Sequence, residues 1–263
     1  FKAVEPGSYN SAAIIMLTDG QRTTGPDPLD AAKMAAERGV RVRMLLDDMN
    51  AEGMDSKLLL LDSHPNIELR LYNPFRNRDG IGRLFEMVQR VFSVNHRMHN
   101  KAWIADGRVA VVGGRNIGEE YFSANPEVNF RDLDLLLFGP AVKQASTIFD
   151  DYWNSTAAVP VAALARKKPE RMRELAAQLE SEAAGIDAQP YLERLGQSQG
   201  MRAYLARELA PHWIESVQIV SDPPLKWKSD DRSGWLVEPL TAMLKGARQK
   251  ALLISPYFVP GEE

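Results

Sequence analysis

His99 and Lys101, two residues apart in a chain of 263, open the stretch whose residue types can do covalent chemistry. In a strand, residues two apart share a face, so this imidazole and this ammonium can enter one cleft. The stretch continues with Asp106 after four residues and Gly113-Gly114-Arg115-Asn116 after six more. Imidazole is neutral and nucleophilic near pH 7 and can attack phosphorus to form a phosphohistidine. Lys101 would set positive charge against the equatorial phosphate oxygens, and the Asn116 amide would donate to the same oxygens. Gly113 and Gly114 would let the backbone approach the phosphate closely. Such a set makes a phosphate site without a metal. Taken singly, His99 reads as a core histidine and Lys101 as a solvated strand-edge lysine; it is the spacing that argues for chemistry. His64 and His96 have no comparable company and read as surface or loop residues.

The elements that must position these residues alternate. An apolar run at 12–17, a turn-rich stretch and a helical stretch at 29–38 end on Gly39, a helix C-terminal cap. A strand at 40–46 becomes continuously apolar, as a strand covered on both faces would, and stops at Asp47-Asp48. A helix at 55–62, a strand at 67–72 and a helix at 81–92 follow. The strands at 102–105 and 109–112 are joined by Asp106-Gly107, a hairpin signal. A strand at 133–138 is broken by Gly139-Pro140, and a helix runs to about Asn154. Strands alternating with helices predict a layered α/β domain. From Ala157 to Met201 the composition turns to Ala, Glu, Arg, Lys and Gln, with a helix from Pro169 to Leu179. A strand at 216–220, a helix at 236–248 and a strand at 251–255 then repeat the opening order, which predicts the start of a second, incomplete unit.

Composition bounds the partners. Hydrophobic residues make up 44% and charged residues 25%, an ordinary globular balance, so disorder is not the default. A formal net charge of -3 gives no global attraction to nucleic acid or anionic lipid, which leaves such binding to a local patch. The absence of cysteine excludes disulfides, thiolate metal sites and cysteine nucleophiles, and leaves the compartment open. The longest apolar stretches fall far short of the ~20 residues of a membrane-spanning helix. Phe1 opens the chain without a basic-then-apolar leader, so the sequence reads as a fragment.

The motif from His99 to Asn116 resembles the signature of the phospholipase D superfamily, with Gly114 where many members carry serine. From Arg38 to about Thr156 the resemblance is to the bacterial cardiolipin synthase branch, especially its soluble-looking third type. It is carried by Gly39-Val40-Arg41-Val42, Leu45-Leu46-Asp47-Asp48, Leu61-Asp62-Ser63-His64-Pro65, Tyr72-Asn73-Pro74-Phe75, His96-Arg97-Met98-His99-Asn100-Lys101 and Gly113-Gly114-Arg115-Asn116-Ile117-Gly118. The resemblance implies a phospholipase D-like α/β fold, a mixed sheet flanked by helices, with the second repeat incomplete. It implies a catalytic set of His99, Lys101, Asp106, Asn116 and Asp132. Within it Asp106 is more structural than chemical, and Asp132 fixes the histidine tautomer, with Asp134 as fallback. The phosphate would lie on His99, Lys101, Asn116, Gly113 and Gly114, with no metal and no cofactor.

The expected division is 1–38, a strand-loop-helix; 39–156, the first catalytic repeat; 157–215, a helical connector; and 216–263, the start of a second repeat. Ala13 to Gly20 and Gly25 to Asp30 resemble part of a von Willebrand factor A domain. There an aspartate matching Asp19 helps hold a divalent ion, but the partnering Asp-x-Ser-x-Ser segment is absent here, which argues against a metal. The family site pairs two motifs, and no second His-x-Lys occurs downstream. The second half-site would come from a longer chain or from a homodimer. The first is favoured, because Ile254 to Gly261 resembles the opening of the second half in bacterial cardiolipin synthases.

By this resemblance the reaction is phosphatidyl transfer or phosphodiester hydrolysis on a phospholipid such as phosphatidylglycerol, by a bacterial protein peripheral to the inner membrane. The alternatives are a nuclease on the same fold, which the acidic balance disfavours, and an inactive truncated fragment. Arg76, Arg78, Arg83 and Arg90, with Ile81, Leu84, Phe85 and Val88 at helical spacing, read either as an interfacial helix on anionic lipid or as a helix packed on the sheet. Trp227, Trp235, Tyr257 and Phe258 read either as a lipid entrance or as packing.

Overall fold

The computed structural model describes residues 13–18, 39–48, 53–78, 97–116, 128–130, 132–164, 169–183, 217–228 and 231–251, with Lys33, Ala36, Glu37, Ala51, Ile81, Gly82, Glu86, Tyr121 and Ile214. Most of the helix expected at 81–92, Asp19, His96, the strand expected at 251–255, Tyr257 and Phe258 lie outside them. The chain runs β1 Ala13–Thr18, β2 Arg41–Asp47, α1 Asp55–Asp62, β3 Ile67–Tyr72, β4 Lys101–Ala105, β5 Val109–Gly113, β6 Asp134–Phe138, α2 Pro140–Trp153, β7 Ala158–Pro160, α3 Val161–Leu164, α4 Pro169–Ala183 and α5 Val237–Gly246. The strands form one seven-stranded sheet in the order β6-β5-β4-β1-β2-β3-β7. β1, β2 and β3 are parallel, and every other pairing is antiparallel. A mixed sheet flanked by helices, the expected fold class, is what these elements build.

Alternation along β2 and β3 sorts the core into two layers. Val42, Met44 and Leu46 of β2, with Ile67, Leu69 and Leu71 of β3, pack with Leu58, Leu59 and Leu61 of α1 and Val161 of α3. Leu45, Tyr72, Ala102, Ile104 and Ala110 face the other way, onto Val142, Ala145, Phe149, Tyr152 and Trp153 of α2. Arginines on the α2 side are accommodated by that helix. Arg43 donates to Asp150 at 2.9 Å with its guanidinium 4.8 Å from the Phe149 ring centre, and Arg70 lies 4.3 Å from that of Trp153. Phe149 is fully buried and stacks on Trp153 at 5.5 Å. Phe149→Ala is expected to cost about 3–5 kcal/mol, read as a lower urea midpoint at unchanged slope.

Two turns match their sequence signals. Gly39 takes φ +82 and donates its N–H to Ala36 O at 2.9 Å, closing the preceding helical turn. Asp106 and Gly107 both take positive φ, 54 and 63, the two-residue turn that joins twisted antiparallel strands.

Two stretches differ from expectation. Ala158–Pro160 pairs with β3 as an edge strand inside the stretch read as a helical connector. Its three residues are too short to carry a periodicity. The strand expected at 216–220 is not formed: residues 217–220 make no ladder. They bond instead to Gln144 of α2, whose Nε2 donates to Val217 O at 3.3 Å and whose Oε1 accepts the Ile219 N–H at 2.8 Å. β6 is also less covered than a core strand, with Leu135, Leu136 and Phe138 all exposed. Among the described residues no helix is long and apolar enough to cross a membrane.

Candidate active site

The register brings one edge of the sheet to the candidate residues. β1 to β3 end there, and β4 begins there because it runs antiparallel to β1, with Leu17 opposite Ala102. Lys101 lies opposite Gly113, and Gly113 opposite Asp134, in one row across β4, β5 and β6. The carboxyl ends of parallel strands are where open α/β sheets place their ligands.

His99 is exposed at the end of an irregular segment, 97–100, that feeds into β4. Lys101, the first residue of β4, is buried. Its Nζ lies 2.8 Å from His99 Nδ1 and 2.9 Å from His99 O. An ammonium has only donors, so beside charged Lys101 the Nδ1 accepts and the ring proton sits on Nε2. The imidazole and the cation that sequence spacing placed together are in contact.

Gly113 is crowded by backbone of the neighbouring chain segment, and Gly114 by a side chain. A Cβ on Gly113 would lie 2.6 Å from Leu133 O and 2.9 Å from the Asp134 Cα, both immovable without shifting backbone. The atoms nearest a Cβ on Gly114 belong to the Asp132 carboxylate, the first at 2.4 Å, the movable end of a side chain. Gly113→Ala is therefore expected to destabilise by about 1–3 kcal/mol, the usual range for overpacking. Gly114→Ser should cost less. Thermal melts of the two variants check the order.

Asn116 is buried, its Nδ2 donating to Tyr121 Oη at 3.0 Å while its Oδ1 has no hydrogen-bond partner. Arg115 donates from Nε to Asp134 Oδ2 at 2.5 Å and from Nη1 to Tyr121 O. Asp134 thus serves an ion pair. Asp132 lies against Gly114, and its Oδ1 accepts the Leu133 N–H at 2.9 Å. The hydrogen bonds that engage these two carboxylates come from Leu133 and Arg115. Asp106 sits exposed in the hairpin turn, at the far end of β4 from His99, in the structural place anticipated for it.

The edge beyond β2 is closed by aromatic rings and by residues 221–228. Tyr72 and Tyr152 lie 5.5 Å apart, and Trp227 meets Tyr72 edge-on at 6.0 Å. Tyr72 Oη donates to Pro224 O, and Tyr152 Oη to Asp222 O at 3.0 Å. Burial pushes both phenols up, with Tyr152 and Asp47 adding to the shift at Tyr72, so both remain neutral donors. Trp227 is therefore used in packing. Trp235 is flanked by Lys226 Nζ at 5.3 Å and the Arg232 guanidinium at 5.6 Å. A cleft beside β7, lined by Asn73, Pro74, Arg76, Thr156 and Ala157 among others, contains none of the candidate residues.

Sequence reasoning missed Asp47. It is 1% exposed, and its Oδ2 accepts the Met98 N–H at 3.0 Å while Oδ1 accepts from Arg97 Nη1 at 3.3 Å. The available signal is a pair of carboxylates at the end of a continuously apolar strand, which the sequence presents as a stop and as part of the branch resemblance.

Residues 10–153 match the family model described as cardiolipin synthase, phospholipase D-like domain. Because the match begins at residue 10, the likeness of the first forty residues to a von Willebrand factor A domain finds no support, and β1 lies inside the shared sheet. Cardiolipin synthase C of Escherichia coli (strain K12) is 37% identical over 230 residues, 86% of this chain and 47% of that protein. An uncharacterized protein of Helicobacter pylori (strain J99) is 32% identical over 235 residues, 87% of this chain and 45% of its own length. The chain thus spans about half the length of these curated relatives. Among solved structures, NucT from Helicobacter pylori aligns with a TM-score of 0.40 at 19% identity, over 57% of this chain and 81% of that one. The chain belongs to the phospholipase D-like family, in its cardiolipin synthase-related part.

Proposed function

We propose that this chain supplies one half-site for metal-independent phosphatidyl transfer, or hydrolysis, on a phospholipid, through a phosphohistidine at His99. The observation that carries the reading is the contact between the buried Lys101 Nζ and His99 Nδ1 at 2.8 Å. The lipid substrate is carried over from the Escherichia coli relative, a cardiolipin synthase. Phosphatidylglycerol is the donor of choice, met at the surface of a bacterial inner membrane.

The chemistry follows from the ring's two nitrogens. An arriving phosphate competes with Nδ1 for the Lys101 ammonium. Once Lys101 turns to the equatorial oxygens, Nδ1 can take the ring proton and Nε2 presents its lone pair to phosphorus. The N–P bond forms as the bond from phosphorus to the leaving oxygen breaks. The departing alkoxide takes a proton from an acid in the second half-site, contributed by further chain or by a second copy. An acceptor alcohol, or water, then gives its proton to that same group and attacks phosphorus, breaking the N–P bond. Lys101 and Asn116 hold the charge that gathers on the oxygens in both steps.

A substrate whose leaving group departs unprotonated separates this half-site from the missing acid. Phosphatidyl-p-nitrophenol with EDTA present should release nitrophenolate in a His99-dependent way. Release from a DNA phosphodiester, with the lipid ester untouched, would replace the lipid reading with the nuclease one.

A further inference from the structure

We propose that Asp47 is a positioning residue that fixes the backbone carrying His99, an inference that rests on His99 being the attacking group. β2 ends on this carboxylate, 1% exposed, at the edge where β4 begins. A carboxylate so buried persists only when its oxygens are used. They are used on residues 97 and 98: Oδ2 takes the Met98 N–H at 3.0 Å and Oδ1 takes Arg97 Nη1 at 3.3 Å.

Met98 is held a second time by its side chain, buried in the core beneath α2. On the other side of His99, its carbonyl accepts Lys101 Nζ at 2.9 Å. The Arg97–Met98 peptide unit, one removed from the imidazole, and the His99–Asn100 unit that follows it are therefore both held, the first by Asp47 and the second by Lys101. Asp47 also supplies the counter-charge for Arg97, whose Nε and Nη2 are buried without hydrogen-bond partners. The neighbouring carboxylate does a different job: Asp48 takes the Phe75 N–H at 2.8 Å and the Arg78 guanidinium, anchoring the loop after β3. Two consecutive aspartates thus tie two different segments to the end of one strand, and only Asp47 ties the one that leads to His99.

The test compares Asp47→Asn, which keeps an oxygen for the Met98 N–H but loses the charge opposite Arg97, with Asp47→Ala, which loses both. Both are made in the full chain, with Asp150→Asn as a remote control. The first readout is the imidazole resonances of histidine-labelled protein, His99 being identified by its loss in His99→Ala. Expected are displaced or broadened His99 signals in both Asp47 variants, with His64 unchanged. Nitrophenolate release should show kcat lowered about tenfold in the Asn variant and about a hundredfold in the Ala variant, with KM within about twofold. His99 signals that coincide with wild type in a folded Asp47→Asn protein would overturn the proposal, and that variant decides if Asp47→Ala does not fold. Displaced His99 signals in a protein that releases no nitrophenolate would uphold the positioning role and remove the attacking role from His99.

Discussion

Lys101→Ala should lower phosphatidyl-p-nitrophenol turnover on the order of 10² to 10³-fold, and His99→Ala should remove it to background, with both proteins folded. The two losses differ in kind. Alanine at 99 deletes the atom that bonds to phosphorus, and removing a nucleophile costs about as much as removing the whole catalytic unit. Alanine at 101 leaves that atom but takes away charge stabilisation that grows as the transition state forms, typically 10² to 10³-fold for one donor. Lys101 is buried and 2.8 Å from the ring, so its loss also removes this contact from Nδ1. Lys101→Arg keeps the charge but offers a planar fork where a compact ammonium sat, and should recover only part of the rate. Steady-state kinetics with circular dichroism on each variant checks all three.

A stability effect as large as that of Phe149→Ala is expected at Arg78. Its Nη1 donates to Asp48 at 2.7 and 2.8 Å, and its Nη2 donates to Asp55 at 2.6 Å. Asp48 is 0% exposed. Burial alone would lower the Arg78 pKa, but hydrogen bonding and charge from Asp55 and Asp48 outweigh it and raise it. The cluster joins the end of β2, the first turn of α1 and the loop after β3. Arg78→Ala strands a buried carboxylate, and breaking such a pair from one side costs about 3–5 kcal/mol. Asp55→Ala leaves the better-buried partner in place and should cost less. Equilibrium urea denaturation ranks the two.

Most of the sheet was legible because its strands carry period-two alternation and their turns carry chemistry. α1 and β3 begin and end on the residues expected, and Asp106-Gly107 forms the hairpin its residue types demand. Ala158–Pro160 was hidden because three residues carry no period and one is proline, which is tolerated on an edge strand. Residues 217–220 have the alternation of a strand, yet Gln144 of α2 takes up their backbone groups, a partner 73 residues away from Val217 that local pattern cannot name.

At the site, the spacing of His99 and Lys101 suggests their pairing through a shared strand face, whereas His99 stands in the irregular segment just before β4 and still meets Lys101. Gly113 and Gly114 have a second reason to lack side chains. Their missing side chains make room for residues 132–134, at and just before the start of β6, which spacing within one strand does not reveal. The Asp132 carboxylate lies against Gly114. Asp47 was overlooked because a carboxylate after an apolar strand resembles any strand end; only the path of residues 97 and 98 past it gives it a role.

The central claim is that His99 bonds to phosphorus. Its most direct test is intact-protein mass spectrometry after acid-free quenching of the wild-type chain and His99→Ala with phosphatidyl-p-nitrophenol and EDTA. The account predicts a phosphatidyl adduct on wild type, mapped by fragmentation to His99, in step with a burst of nitrophenolate and absent from the variant. Nitrophenolate released equally by both proteins, or an adduct mapped to another residue, would contradict it.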